Sequence, residues 1–308
     1  MSNQTRAKLV VVGSVAVDWV ITPAAERRES VGGAAVFFAM AAAPLSEVAL
    51  VGIVGHDFPN SSISDLQAAG VDLEGLERND QGLTFRWKGR YHENMNHRDT
   101  LETHLNVFEQ FSPKLPRSYR ECEFLFLANI QPTLQLDVLN QMEARPRLVG
   151  LDTMNLWIDI ANDDLLKVLA RVDVLAINQE EALQLTAETN LVRAAAKIRA
   201  LGPKTLIIKR GEHGALCFLP DGDLFAAPAL PLEDVADPTG AGDSFAGGFM
   251  GHLANTGRLD ADNIRKAVVW GSTMASFCVQ GFSYDRLRGL SREDIERRYQ
   301  SFVALTRF

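Results

Sequence analysis

Short apolar runs that stop at a glycine or a polar residue recur along the chain, and they narrow the possible folds more than any other feature. Leu9-Val10-Val11-Val12 stops at Gly13, and Val48 to Val54 forms a second run. Phe124 to Ala128, Leu148 to Leu151, Asp173 to Ile177 and Thr205 to Lys209 follow, the third of these ending at Asn178. Runs this short and this rich in β-branched residues are predicted to be buried strands. Stretches with helical spacing lie between them: Ala34 to Ala43, stopped by Pro44; Ser62 to Ala69, ending at Gly70; and Leu134 to Met142. A β-α-β-α order predicts a parallel sheet covered by helices. Ala215 to Leu219 adds a further strand, Ile264 to Cys278 a packed helix, and Ser291 to Tyr299 a surface helix opened by Ser291 and Asp294.

Residues from about Gly82 to Pro116 break this rhythm. Thr84, Phe85, Trp87 and Tyr91 favour strand, Glu93 to Asn96 reads as a loop, and Thr100 to Phe108 alternates again. The segment reads as a hairpin-like insertion, rich in aromatic and basic residues, that would cover a polar pocket. With 308 residues, 46% hydrophobic and 23% charged, the chain can bury a sizeable core as one main domain plus this insertion. There is no internal repeat or low-complexity linker.

A net charge of −8 gives no general attraction for nucleic acid or an anionic membrane, so any phosphate site must be local. Arg6 and Lys8 before Leu9 to Val17 imitate the start of a signal peptide, but Asp18 interrupts the run. The apolar run from Ala34 to Leu45 is too short to span a bilayer. A cytoplasmic location is therefore expected. Cys122, Cys217 and Cys278 lie far apart in apolar surroundings and are expected to be reduced packing thiols. His92, His97 and His104 lack metal-ligand spacing. The first strand also lacks the G-x-G-x-x-G turn of a dinucleotide fold, which argues against a nicotinamide enzyme.

In open parallel sheets, ligands bind outside the carboxyl ends of the strands. Asn129, Asp152, Asn178 and Lys209 are placed there, together with the loop from Asp237 to Asp243. In that loop Gly240, Ala241 and Gly242 open a helix whose apolar face is Phe245, Phe249 and Leu253. A small-residue turn at a helix start directs free N–H groups and the helix dipole at an anion. Asp243 puts a carboxylate beside it, which suggests phosphoryl transfer to a hydroxyl. The same glycines also suit plain close packing, and Asp in a first turn suits the dipole alone. Asn178 and Glu181 lie one helical turn apart, fit either for a hydrated magnesium or for ordinary capping. Asp18 is either a solvated strand residue or a ligand for hydroxyls.

Taken together, these residues resemble the ribokinase-like carbohydrate kinases, also called the PfkB family, over essentially the whole chain. Asp237-Pro238-Thr239-Gly240-Ala241-Gly242-Asp243 is similar to that family's C-terminal signature. Asn178…Glu181 is similar to its N-x-x-E motif, and Lys209 to Gly214 to its nucleotide-binding turn. Gly13, Asp18 and Gly32-Gly33 match the substrate half, and residues 82–112 fall where the family has a β lid.

The resemblance implies one ribokinase-like α/β domain over residues 1–308, with a central, mostly parallel sheet flanked by helices. A small β-sheet lid would form from about 14–32 and 82–112, and lids of this kind sometimes pair two subunits. It implies an ATP-dependent kinase acting on a small polyhydroxylated substrate. Asp243 would be the general base, and Gly240, Ala241 and Gly242 the anion hole. Asn178, Lys209, Gly211 and Gly214 would bind the nucleotide. Asn178 and Glu181 would hold Mg2+ through water, and Asp237 is a candidate ligand for a monovalent cation such as K+. Asp18, Gly32 and Gly33 would orient the acceptor.

Phe37 is a departure from the pattern, because many relatives carry a sugar-binding Asn at that place. It is either core packing or a flat apolar wall that shifts preference toward a nucleoside or a cyclitol. The Arg that often follows an element like Asp152-Thr153-Met154-Asn155 is also missing. Sugar, nucleoside and cyclitol kinases therefore stay open, beside a non-catalytic ligand-binding protein of the same fold.

Overall fold

The computed structural model describes residues 7–307. Its strands are Leu9–Val12 (β1), Ala16–Ile21 (β2), Glu26–Gly32 (β3), Val48–Gly55 (β4), Val71–Asn79 (β5), Phe85–Tyr91 (β6) and Arg98–His104 (β7). Phe124–Leu127 (β8), Leu148–Leu151 (β9), Val174–Asn178 (β10), Thr205–Lys209 (β11), Ala215–Phe218 (β12) and Leu224–Ala227 (β13) complete them. The helices are Ala34–Ala42 (α1), Asn60–Ala68 (α2), Pro132–Gln141 (α3), Asn155–Ile160 (α4), Asn162–Leu169 (α5), Gln179–Thr186 (α6) and Leu191–Ala200 (α7). Ala241–Thr256 (α8), Ala261–Cys278 (α9) and Arg292–Leu305 (α10) follow.

Nine strands form one sheet in the order β13-β12-β11-β10-β9-β8-β1-β4-β5. Every pair from β11 to β5 is parallel, and only β12 and β13 turn back antiparallel. The expected mostly parallel sheet is therefore present. Alternation along each strand splits the core in two. Leu9, Val11, Phe124, Phe126, Val174 and Ile207 point to one side, against α1, α8 and α9. Val10, Val12, Leu125, Leu127, Leu175 and Ile208 point to the other. A strand buried on both faces has no polar alternation, which is why these runs read as continuously apolar.

Helix α8 is buried from Ser244 to Ala254 because it is wedged between α1 and α9. Small residues make that approach possible. A Cβ on Gly247 would lie 2.3 Å from the Phe38 carbonyl oxygen, and one on Gly248 would lie 2.6 Å from that of Trp270. This wedge fixes the first turn of α8 at the carboxyl edge of the sheet. All three cysteines are buried. Among the described residues no helix is long and apolar enough to cross a membrane.

Strands β3-β2-β6-β7 form a separate, smaller mixed sheet, with β2 and β6 parallel and both outer pairs antiparallel. These strands fall within the two segments expected for it. The alternation expected over Thr100 to Phe108 instead begins at Arg98 and ends at His104, where a short 3-10 turn from Asn106 to Gln110 takes over. Val107 in that turn is buried and anchors the segment, its N–H donating to the Leu83 carbonyl at 3.1 Å.

Candidate active site

Adjacent parallel strands end side by side, so the residues just past them converge on one edge. Asp152 follows β9, Asn178 ends β10 and Lys209 ends β11, with Asn178 and Lys209 in register. Lys209 Nζ reaches across β10 to Asp152 Oδ2 at 3.0 Å. The N-terminus of α8 lies against this row. A Cβ on Gly242 would sit 2.8 Å from Lys209 Nζ. Asp243 is close enough for its charge to act on Lys209 and for that of Asp152 to act on it.

The turn into α8 is built around Gly240. Its φ of +76° is left-handed, and a Cβ there would meet the Phe37 ring at 2.2 Å. Phe37 is 1% exposed, so its ring is the floor beneath the turn, also 3.4 Å from where a Cβ on Gly32 would project. Of the three residues expected to form the anion hole, Ala241 spends its N–H on the Pro238 carbonyl at 3.1 Å, closing the turn. The N–H groups of Gly240 and Gly242 make no backbone hydrogen bond among the described residues, so two of the three expected donors are open and Ala241's is already used.

Three carboxylates gather here from distant parts of the chain. Asp18 is buried, and burial, reinforced by the charges of Asp237 and Asp243, pushes its pKa up to about 8. Its Oδ2 occupies the space a side chain at Gly32 would need, 2.0 Å from that Cβ position. The first two amides of α1 bond to Ser14, Ala34 N–H to its hydroxyl at 3.1 Å and Ala35 N–H to its carbonyl at 3.0 Å. Gly32 and Gly33 thus permit close packing of β2 and β3 on the start of α1. Asp237 is 1% exposed and burial raises it to about 6. Its Oδ1 accepts from the Thr239 amide at 2.8 Å, while Oδ2 is buried without a hydrogen bond of ordinary geometry. Burial and Asp152 raise Asp243, with Lys209, Arg98 and its own amide opposing them.

Asn178 and Glu181 form a reciprocal cap on α6. Asn178 Oδ1 accepts from Glu181 N–H at 2.8 Å, and Glu181 Oε2 accepts from Asn178 N–H at 2.9 Å. Capping and ligand binding are compatible, because the cap leaves Glu181 Oε1 free and uses one of the two lone pairs on Asn178 Oδ1. Burial first and Asp152 second raise Glu181 above the ordinary carboxylate range. No group of three or more His, Cys, Asp or Glu suited to a metal exists among the described residues. The described residues therefore offer no closed metal cage. An amide and a carboxylate at a strand end fit a magnesium whose remaining ligands are water and phosphate. The orphaned Asp237 Oδ2 similarly fits a monovalent cation. Gly211 and Gly214 bracket a tight turn after β11, closed by Arg210 N–H on the Gly214 carbonyl at 2.8 Å.

The small sheet contributes residues that the sequence did not single out by role. Residues in register across a sheet share a face, so Asp18, Trp87 and Thr103 point the same way, as do Tyr91 and Arg98. The Trp87 indole lies over Gly89, 2.1 Å from where its Cβ would be, with Nε1 donating to Thr100 Oγ1 at 3.2 Å. Tyr91 is buried and its hydroxyl accepts from Thr239 Oγ1 at 3.1 Å, tying the sheet to the Asp237–Asp243 loop. Arg98 lies 5.8 Å from the Trp87 ring, and its charge reaches Asp243, Glu181 and Tyr91. The β6–β7 tip crosses to the other side of the site: Asn96 Nδ2 donates to Glu212 at 3.0 Å, and His97 lies 3.4 Å from Glu180. Arginine and tyrosine in a loop-flanked strand give no spacing signal, so only the fold reveals them.

Residues 6–285 match the family of pfkB carbohydrate kinases. The chain belongs to that family. A cytidine kinase of Thermococcus kodakarensis is 33% identical over 247 residues, 79% of this chain and 87% of that protein. Among solved structures, the nucleoside kinase of Methanocaldococcus jannaschii superposes with a TM-score of 0.78 at 20% identity, covering 96% of this chain and 99% of its own. Arabidopsis thaliana ribokinase, solved with ribose and ATP, gives 0.76 at 21% identity over 96% and 99%. At such identities the two superpositions establish the fold. The family and its fold explain the edge geometry: a turn with open amides, a raised carboxyl beside it, and a small sheet whose tip reaches across both.

Proposed function

We propose that this pfkB-family chain is an ATP-dependent kinase whose acceptor is a nucleoside, phosphorylated on a ribose hydroxyl. The observation that carries the acceptor class is the pairing of Asp18 with Trp87. A carboxylate suited to sugar hydroxyls stands in register with a flat indole suited to a base, on one face of the small sheet. Stacking of a base on an aromatic ring is worth about 1–3 kcal/mol, which separates a nucleoside from its free sugar by about five- to a hundredfold. The likeness to a cytidine kinase over most of both chains supports the same reading.

In this reading Asp243 takes the proton from the attacking hydroxyl, and the open amides of Gly240 and Gly242 receive the charge of the phosphoryl group. The turn Arg210–Gly214 and Asn178 take the nucleotide. Asn178 and Glu181 would hold a magnesium through water, which would supply neutralising charge to phosphate oxygens. Asp237 would be the ligand for a monovalent cation. The small sheet acts as a lid that keeps water from the phosphate.

The test is ADP release from magnesium-ATP with cytidine, the other nucleosides, free ribose, hexoses and inositols, each product checked by mass. A nucleoside monophosphate is expected, at kcat/KM well above that for ribose. Turnover of free sugars or cyclitols alone would overturn the acceptor assignment. No phosphorylated product from the whole panel would favour a binding protein that has kept the fold.

A further inference from the structure

The resemblance assigns Lys209 to the nucleotide, but its side chain goes elsewhere. It leaves the end of β11, passes over Asn178 and stops between Asp152 and the first turn of α8. Among the described residues Nζ makes one hydrogen bond, to Asp152 Oδ2 at 3.0 Å. An ammonium has three donors, so two remain for something else. They sit within reach of Gly242, whose amide also lacks a backbone partner. Lys209 is 17% exposed at its side chain and Asp152 7%. Placing such a pair here is costly, and an apolar pair would be as stable or more so. A charge kept in that position is therefore explained better by what it faces than by stability. Burial alone would depress the ammonium's pKa, but Asp152, then Glu181 and Asp243, hold it above the ordinary value, so it stays charged.

We propose that Lys209 is the chain's own cation for the phosphoryl group in transfer, held at the anion turn by Asp152 as a positioning residue. The inference rests on the kinase reading. In the step, the acceptor O–H gives its proton to Asp243 and its oxygen forms a bond to the γ-phosphorus. The bond from that phosphorus to the β–γ bridging oxygen breaks, and ADP leaves with the electron pair. Lys209 keeps its proton throughout. Its donors turn from open space to the equatorial oxygens of the group in flight, where a fixed positive charge lowers the barrier without moving. Asp152 keeps the ammonium from swinging toward Glu181.

A role in transfer and a role in holding nucleotide separate cleanly. The probe is orthovanadate, a stand-in for the phosphoryl group, titrated onto protein saturated with magnesium-ADP and followed by calorimetry. No acceptor is needed, so the result does not depend on which acceptor the enzyme uses. Lys209→Met is expected to keep ADP affinity within about threefold and to weaken vanadate at least about tenfold, with Lys209→Arg recovering part of the loss. Asp152→Asn is expected to fall between Lys209→Met and wild type. Because Lys209→Met leaves Asp152 without its partner, the double variant Lys209→Met/Asp152→Asn keeps the test open should the single variant fold poorly; it should match the vanadate loss of Lys209→Met. Equal vanadate affinity in variant and wild type, ADP affinity falling as far as vanadate affinity, or a wild type that binds no vanadate would each overturn the proposal. Failure of the acceptor panel, by contrast, would remove the kinase reading and leave the vanadate result standing as a property of the anion turn.

Discussion

Phe37 and Asp243 act on the same turn from opposite sides, and each can be tested alone. The sequence left Phe37 as either core or pocket wall, because helical spacing cannot say what a loop two hundred residues later will rest on. The structure puts its ring under Gly240 with no exposed face. Phe37→Ala should therefore cost about 3–5 kcal/mol of stability, as large aromatic deletions in a core do. It should also lower kcat for every acceptor alike, by loosening the turn. Acceptor preference measured across the panel should not change; a shift toward sugars would place the ring in the acceptor's path. For Asp243, the residue type and its place after the glycine turn were legible, but its raised pKa was not, since that comes from burial and from Asp152. A base must be deprotonated to work, so kcat/KM should fall as pH drops through about 6, about tenfold per unit below it. Asp243→Asn should leave ATP affinity largely intact and cut turnover at least about a hundredfold. Near-normal turnover in that variant would remove Asp243 from the mechanism.

The elements divide by how much of their identity is local. Strands at the centre of the parallel sheet are apolar on both faces and were read almost to the residue, as with Leu148–Leu151 and Thr205–Lys209. Strand β3 was hidden because Glu26-Arg27-Arg28-Glu29 is charged and exposed, and β7, all seven of whose residues are exposed, was read with its bounds displaced toward Phe108. Such strands are held by their neighbours' hydrogen bonds and not by a buried face, so periodicity is silent about them. Helices α4, α5 and α7 and strands β5 and β13 were likewise not placed, being short or only half-buried. The β6–β7 hairpin, expected from the sequence as an insertion, owes its reach to contacts the sequence does not show. Its tip bonds across to the residues that follow β10 and β11 through Asn96–Glu212 and His97–Glu180, contacts exposed enough to be weak individually. The double variant Asn96→Ala/His97→Ala should fold normally, since neither residue is buried. If the tip closes the site, acceptor KM should rise by about three- to tenfold while kcat at saturation changes little. An unchanged KM would show that the small sheet does not close over the acceptor.

At the scale of the molecule, folding gathers three carboxyl groups that the chain keeps far apart. Asp18 comes from the small sheet, and Asp237 and Asp243 flank the turn into α8. Each motif could be read in sequence, but their mutual repulsion could not, because it exists only once β2 docks on that turn. The pH dependence of stability follows from it. Asp18 has a folded pKa of about 8 against an ordinary value near 3.8. Below about pH 4 both folded and unfolded chains hold the proton, and its contribution is fully present. Between 4 and 8 the folded chain binds a proton that the unfolded chain has lost, so stability falls as pH rises through that window. Asp237 adds to the slope up to about pH 6. Asp18→Asn removes the largest contributor and also relieves its neighbours. In potassium-free buffer without nucleotide, the wild-type Tm should fall more steeply from pH 5 to 8 than that of Asp18→Asn. The curves should meet near the acid end and stand several degrees apart at pH 8, a difference on the order of a few kcal/mol. Parallel curves would mean that Asp18 keeps its charge throughout, and that some bound cation, rather than a proton, balances the three acids.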